Sequence, residues 1–94
     1  MKIHELDTKE VTLHILNDKV FELDRCPDWA QWAAVDEDGK AYWYEAKPEI
    51  DGIVWINDDR IRLIKDAARA KAIVFDATDW QHSLIERPDK FDKQ

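Results

Sequence analysis

The stretch AQWAAVDEDGKAYWYEA, residues 30–46, gives the clearest indication of fold in this chain of 94 residues. An aromatic and aliphatic run leads into the acidic turn DEDG at residues 36–39, and a second aromatic run follows it. Acidic residues favour such a turn, and Gly39 is well placed for the positive φ that short hairpin loops require. The stretch therefore predicts a β-hairpin.

The second strand of this hairpin carries aromatic side chains on both faces. Because successive side chains of a strand point to opposite sides, Tyr42 and Tyr44 face one way and Ala41 and Trp43 face the other. We expect one face to form core and the other to be partly exposed.

The N-terminal segment, residues 10–24, has two readings. Alternating β-branched and aliphatic residues, with a turn-forming Asn-Asp pair at residues 17–18, predict a second hairpin. Leucine and valine also recur there at spacings of three and four, which leaves a helix open. We favour the hairpin because of the turn residues.

Further strands are predicted on the C-terminal side of the aromatic hairpin. Pro48 ends its second strand, an Asp-Gly pair at residues 51–52 turns the chain, and residues 53–56 (IVWI) predict a third strand. These three strands would form an antiparallel meander. Residues 72–75 (AIVF) predict one more short, buried strand.

One helix is predicted, from a cap at Asn57 or Asp58 through residue 70. Ile61 and Ile64 recur at helical spacing within it, and acidic residues precede basic ones. A capping-box arrangement at residues 78–81 (TDWQ) predicts a further, brief helical turn that runs to Pro88.

The predicted elements amount to one domain over residues 1–94. Its class is α+β: an antiparallel sheet of four to six strands, including the aromatic-rich meander, with one helix packed on one face. The polar tail from about residue 89 is expected to fray.

Charge argues against two classes of partner. The 21 acidic and 14 basic residues are interspersed and give a net charge of −7. This balance predicts no general nucleic-acid binding and no attraction to anionic membranes. A small basic patch can still form around Arg60, Arg62, Lys65, Arg69 and Lys71.

The compartment is indicated by Cys26, the one cysteine of the chain. No intramolecular disulfide can form, and the N-terminus lacks the pattern of a secretory signal. Apolar runs are far shorter than the ~20 residues of a membrane span. We therefore expect a cytoplasmic protein.

No catalytic constellation stands out. His4, His14, His82 and Cys26 are scattered without metal-ligand spacing, and Ser83 has only the poorly placed neighbour His82 as a base. No glycine-rich phosphate loop exists. We therefore predict a protein that is not an enzyme and that needs no cofactor or metal.

The six aromatic residues Trp29, Trp32, Tyr42, Trp43, Tyr44 and Trp55 are the one feature of the sequence that indicates a function, namely binding. We expect three or four of the six rings to be buried and the rest to mark a binding surface, because exposed aromatic rings bring large contact area. The candidate binding residues are Trp32, Tyr42, Trp43, Tyr44 and Trp55. The candidate phosphate or anion contacts are Arg60, Arg62 and Arg69, since arginine forks suit phosphate.

Four patches together resemble small proteins of tailed bacteriophages and prophages, most of them uncharacterised. The patches are CPDW at residues 26–29, AVDEDG at 34–39, YWYE with KP at 42–48, and DW with SLIERP at 79–88. The resemblance covers roughly residues 20–88 and leaves the first 19 unexplained. It implies a phage or prophage origin and a bacterial host cytoplasm, with no catalytic residues to carry over.

Such an origin favours a non-catalytic accessory protein that binds a bacterial host protein. An inhibitor of a host defence protein is the first form of this hypothesis. Two alternatives stay open. One is a small-molecule or nucleotide-sequestering protein with an aromatic and arginine-lined pocket, which could be a homo-oligomer; the other is a minor structural or assembly component.

Overall fold

The computed structural model describes residues 14–88 of the chain. Short β-strands and two 3₁₀ helices, Asp18–Glu22 and Trp80–His82, form its regular structure, and no α-helix occurs in this range. The strands are β1 Trp32–Val35, β2 Ala41–Tyr44, β3 Glu49–Asp51, β4 Val54–Ile56, β5 Ile61–Leu63, β6 Lys65–Asp66, β7 Lys71–Ala72 and β8 Ile85–Glu86.

The main sheet has four antiparallel strands in the order β5-β2-β1-β8. Its centre is the hairpin β1–β2, whose register runs from Trp32 opposite Tyr44 to Val35 opposite Ala41. The hairpin predicted over residues 30–46 is thereby confirmed. Two further hairpins, β3–β4 and β6–β7, form separate two-stranded sheets.

The β1–β2 loop depends on Gly39 in two ways. The Asp36 N–H donates to Lys40 O and the Gly39 N–H donates to Asp36 O, which closes a three-residue loop with Gly39 at φ +92°. Gly39 O also accepts the N–H of Phe75 at 2.7 Å. A Cβ on Gly39 would lie 3.1 Å from Phe75 O, so the absence of a side chain permits this approach.

The two faces of the main sheet carry separate cores, whereas the sequence predicted core on one face only. Trp43 and Ala41 lie on one face, called the first face, and belong to the first core. Tyr44 lies on the opposite face, called the second face, and belongs to the second core. The Trp43 side chain is fully buried, and its Nε1–H donates to Val20 O at 3.1 Å. The first core also contains Phe21, Ala30, Ala33, Val35, Ile64 and Phe75; the second contains Ala34 and Trp55, flanked by Trp32, Tyr42, Trp80 and Leu84.

The hairpin predicted over residues 10–24 is wrong within the described residues. After Asn17 the chain forms a 3₁₀ helix, because the Asn17 side chain accepts the Lys19 N–H at 2.9 Å and caps it. Val20 and Phe21 are both buried in the first core, whereas adjacent residues of a strand would point to opposite faces. Residues 10–13 lie outside the described range.

The helix predicted through residue 70 is also wrong. Ile61 and Leu63 lie on β5 opposite Tyr44 and Tyr42, on the second face, while Ile64 is buried in the first core. The helical spacing of the isoleucines therefore reflects side chains on opposite faces of an extended segment. The chain then reverses between β6 and β7, and no helix packs on the sheet within residues 14–88.

The predicted meander is only partly correct. Residues 53–56 do contain a strand, β4, but it pairs with β3 and not with the main sheet, where β5 takes the place beside β2. In the predicted strand 72–75, Ala72 belongs to β7 and residues 74 and 75 form isolated bridges.

The brief helical turn predicted after residue 78 is present as the 3₁₀ helix Trp80–His82, but the predicted capping box at residues 78–81 does not form. Asp79 occupies the cap position of the second 3₁₀ helix and makes no side-chain capping bond. The short strand β8, which the sequence did not predict, follows and pairs with β1. The predicted frayed tail from residue 89 lies outside the described residues.

Gly39→Ala should therefore destabilise the domain more than Gly52→Ala. Both glycines have positive φ, +92° and +72°, so alanine costs about 1–2 kcal/mol in conformation at each position. At Gly39 the Phe75 backbone must also shift, at a further cost of about 1–3 kcal/mol. At Gly52 nothing lies within 4 Å of the added Cβ. Urea denaturation measures both free energies of unfolding, and equal losses would contradict the role assigned to the Phe75 contact.

Candidate functional site

A buried carboxylate holds the β3–β4 hairpin on the second face of the sheet. Asp36 is 7% exposed, and its Oδ1 accepts the backbone N–H of Trp55 at 2.9 Å. The Tyr44 hydroxyl donates to Trp55 O at 3.4 Å, and the Glu37 N–H donates to Ile53 O at 3.2 Å. The hairpin therefore covers one part of this face.

The β8 side of the second face is closed by Ser83. Its Oγ accepts the Val35 N–H at 2.9 Å and donates to Trp80 O at 2.7 Å. Trp80 O also accepts the indole N–H of Trp55 at 3.3 Å. The Ser83 proton is thus directed to a carbonyl, and His82 is bonded to Asp79 at 2.8 Å, so these residues do not form a nucleophile and its base.

The β5 side of the second face is open. Tyr42 and Leu63 are half-buried there, and Ile61 is 43% exposed. All three side chains share this face, because Leu63 is the cross-strand partner of Tyr42 and Ile61 is that of Tyr44. They form an apolar patch along the outermost strand of the main sheet.

The backbone of β5 presents unpaired groups beside this patch. Hydrogen bonds from Glu45 N–H to Arg60 O and from Ile64 N–H to Ala41 O fix which β5 residues bond to β2. In an antiparallel ladder the residues between bonded positions point their N–H and C=O away from the partner. These are Ile61 and Leu63, and no group of residues 14–88 bonds to them on the outer side. We call the outer backbone of β5, with the side chains of Tyr42, Ile61, Arg62 and Leu63, the β5 edge.

Arg60, which precedes β5, is bonded to Glu45 and is therefore not a free cation. Its Nε and Nη2 donate to the two carboxylate oxygens of Glu45 at 3.2 and 2.8 Å. The guanidinium also lies 5.0 Å from the centre of the Trp29 ring. The hydrogen bond from Arg60 is the main reason that the pKa of Glu45 is lowered.

The other two candidate arginines lie apart from each other. Arg62 is exposed on β5, and its Nη1 donates to Arg25 O at 3.4 Å. Arg69 lies in the β6–β7 loop, where its Nε is 3.8 Å from Asp66 Oδ2. Arg69 lines a cavity of about 180 Å³, smaller than the usual ligand pocket of ~300–1,000 Å³. Its described lining includes neither of the other arginines and none of the candidate aromatic residues.

The candidate aromatic residues divide between interior and surface. Trp43, Tyr44 and Trp55 are buried, which confirms the expectation that three or four rings would be core. Their side chains do not reach a partner in this conformation. Trp32 and Tyr42 are half-buried, and the Lys47 ammonium lies 5.6 Å from the centre of the Trp32 ring.

Sequence reasoning missed the apolar part of the β5 edge. The sequence pattern predicts a helix over Ile61 and Leu63, and a helix does not indicate a sheet edge at these residues. The alternation of apolar and basic residues in RIRL, residues 60–63, was the available signal, since period two indicates a strand with two unlike faces.

Two further kinds of site concern the described residues: metal-binding groups and the Cys26 thiol. No group of three or more His, Cys, Asp or Glu side chains within residues 14–88 could hold a metal ion. Burial is the main cause of a raised pKa at the Cys26 thiol, which keeps it protonated. The helices of the same range fall short of the length and apolarity needed to cross a membrane.

Comparison with known proteins found no match. Neither the protein-family models, nor the curated proteins, nor the solved structures contain a significant relative of this chain.

Replacing Arg60 should raise the pKa of Glu45. We expect NMR titration to place this pKa below the ordinary glutamate value of 4.5, and Arg60→Gln to return it towards that value. A lowered folded-state pKa means that the pair contributes stability above the unfolded pKa and loses it as pH falls through the folded one. Arg62→Gln is the matched control and should leave the titration unchanged. An unaltered Glu45 titration in Arg60→Gln would show that the two hydrogen bonds between Arg60 and Glu45 do not persist in solution.

Asp36→Ala should destabilise the domain by about 1–3 kcal/mol, because the buried Trp55 N–H loses its acceptor. Asp36→Asn should retain the bond through its amide oxygen. Burial, aided by the nearby charge of Asp38, raises the pKa of Asp36 above its ordinary value of 3.8.

The raised pKa gives this carboxylate a distinct pH signature. The native state holds the proton more tightly than the unfolded chain, so wild type should lose stability relative to Asp36→Asn as pH rises from the ordinary aspartate value through the raised pKa. Urea denaturation of both proteins across this range measures the difference. A relative gain by wild type would contradict the assignment.

Proposed function

We propose that this chain is a non-catalytic protein-binding domain whose contact surface is the β5 edge. The observation that carries the proposal is a coincidence on one outer strand: backbone groups of Ile61 and Leu63 that no other group of residues 14–88 bonds lie beside a half-exposed apolar patch. Sheet edges of this kind bind polypeptides, because backbone hydrogen bonds supply affinity and neighbouring side chains supply specificity.

The proposed partner is a bacterial host protein. This part of the proposal rests on the resemblance to small proteins of tailed phages and prophages, which favours an accessory protein that acts in the host cytoplasm. An inhibitor of a host defence protein is its most specific form. The net charge of −7 supports a protein partner over a nucleic acid.

The nucleotide-sequestering alternative has less support. Its arginine contacts would have to leave existing partners, since Arg60 is forked on Glu45 and Arg69 faces Asp66. Nothing in the described residues favours a structural virion component specifically.

A pull-down that compares two isoleucine variants tests the proposal. Ile61→Gln removes an apolar contact of the β5 edge, whereas Ile56→Gln alters an isoleucine of β4 with nearly the same exposure, 44% against 43%. We expect wild type and Ile56→Gln to retain the same host protein near stoichiometry, and Ile61→Gln to retain about tenfold less, the loss expected when one buried aliphatic contact is removed. Circular dichroism and thermal unfolding would establish that both variants fold.

The retained protein, once purified, should lose its own activity on stoichiometric addition of this chain if the inhibitor form is correct. Equal recovery by the two variants would overturn the role of the β5 edge. Recovery of the bait alone would overturn the host-protein proposal.

A further inference from the structure

We infer that the occupant of the β5 edge is an extended segment with alternating apolar and acidic side chains, added to the main sheet as a fifth strand. This inference deepens the proposed function and rests on it for the choice of surface. It specifies the chemistry and conformation of the bound segment.

The backbone geometry specifies an extended occupant. Ile61 and Leu63 each direct an N–H and a C=O outward, two residues apart on the same strand. Their spacing of about 6.8 Å is that of alternate residues in another strand. An incoming strand can therefore bond to both residues at once, whereas a helix, whose backbone groups are bonded internally, cannot.

The second face of the sheet specifies apolar residues at the bonded positions. Side chains opposite Ile61 and Leu63 would continue this face outward, beside the half-buried ring of Tyr42. Directly opposed apolar side chains in adjacent strands contact each other and remove these exposed surfaces from water.

The charge of Arg62 specifies the residue of the occupant that lies between its two apolar residues. Arg62 is exposed and projects to the other face of β5. The one side-chain hydrogen bond of Arg62 within residues 14–88 is a long one, 3.4 Å to Arg25 O. In antiparallel pairing, the occupant's residue opposite Arg62 lies at a non-bonded position of the new ladder, where opposed side chains are closest. An aspartate or glutamate there is favoured because opposite charges stabilise a cross-strand pair.

The same charges disfavour a second copy of this chain. Antiparallel pairing of Ile61 with Leu63 of another copy would place Arg62 opposite Arg62, and pairing of Ile61 with Ile61 would place it opposite Arg60. Like charges directly opposed are destabilising. Pairing of Leu63 with Leu63 would extend into β6, which bends away to pair with β7. An acidic segment of another protein meets none of these conflicts.

Two synthetic peptides test the charge requirement. The first is the acetylated and amidated peptide Thr-Val-Glu-Val-Glu-Val-Thr, and the second has lysine in place of both glutamates. NMR titration should show the glutamate peptide binding on the order of tenfold more tightly, with the largest amide shifts at Ile61 and Leu63. Arg62→Glu should reverse the preference, and Lys71→Glu, on β7, should leave it unchanged. Equal affinity for the two peptides, or no reversal in Arg62→Glu, would overturn the inference.

N-methylation tests the backbone requirement without changing the protein. The valine amides of the peptide face the β5 edge in the proposed pairing, and the glutamate amides point away. N-methyl-valine should abolish detectable binding, while N-methyl-glutamate should preserve it. Binding that is insensitive to N-methyl-valine would overturn strand addition.

The two proposals fail in different ways. A host protein that is lost by Ile61→Gln but retained equally by Arg62→Glu supports the proposed function and overturns the acidic-strand inference. Peptide binding with the predicted charge and N-methyl sensitivity, together with a pull-down that recovers only the bait, supports strand addition and overturns the host-protein proposal.

Discussion

The hydrogen bond from the Trp55 N–H to the buried Asp36 carboxylate is the contact on which the arrangement of the second face depends. The β3–β4 hairpin does not belong to the main sheet, so no strand ladder joins the two. Asp36 lies at the β1–β2 turn and therefore ties one hairpin to the other. The hydroxyl of Tyr44 and the indole of Trp55 add bonds around this contact. Burial of a carboxylate opposes its ionisation, and the Trp55 N–H offsets part of that cost.

The two ends of the main sheet differ. At the β8 end, Trp80 packs against the second core, the N–H of Arg87 after β8 donates to Gln31 O, and Pro88 then offers no N–H. The β5 end has neither cover nor terminating proline within the described residues. Exposed edges invite pairing with other chains, and charged side chains limit which chains can pair. Arg62 has that position on β5, and in the proposed pairing its charge also favours an acidic partner segment.

Sequence reasoning succeeded where the interactions are local. The β1–β2 hairpin was predicted because its turn residues and the period-two aromatic pattern act within 17 consecutive residues, 30–46. It failed for residues 58–70, where isoleucine spacing matched a helix. The decisive contact there is the pairing of Ile61 with Tyr44, which no local pattern encodes. The predicted binding site was affected in the same way. Large aromatic side chains were predicted to form a binding surface, yet three of them, Trp43, Tyr44 and Trp55, are part of the core.

Local sequence was enough to predict the hairpin β1–β2, the need for a glycine in its turn and the division of β2 into two faces, because backbone conformation and strand alternation are properties of neighbouring residues. Three features are set by the folded chain as a whole: β5 lies beside β2, Trp43 is buried while Ile61 is exposed, and Arg60 is bonded to Glu45. Each of these depends on residues distant in the chain. The free energy that selects them comes from burial and pairing across the whole fold, which no single stretch of sequence contains.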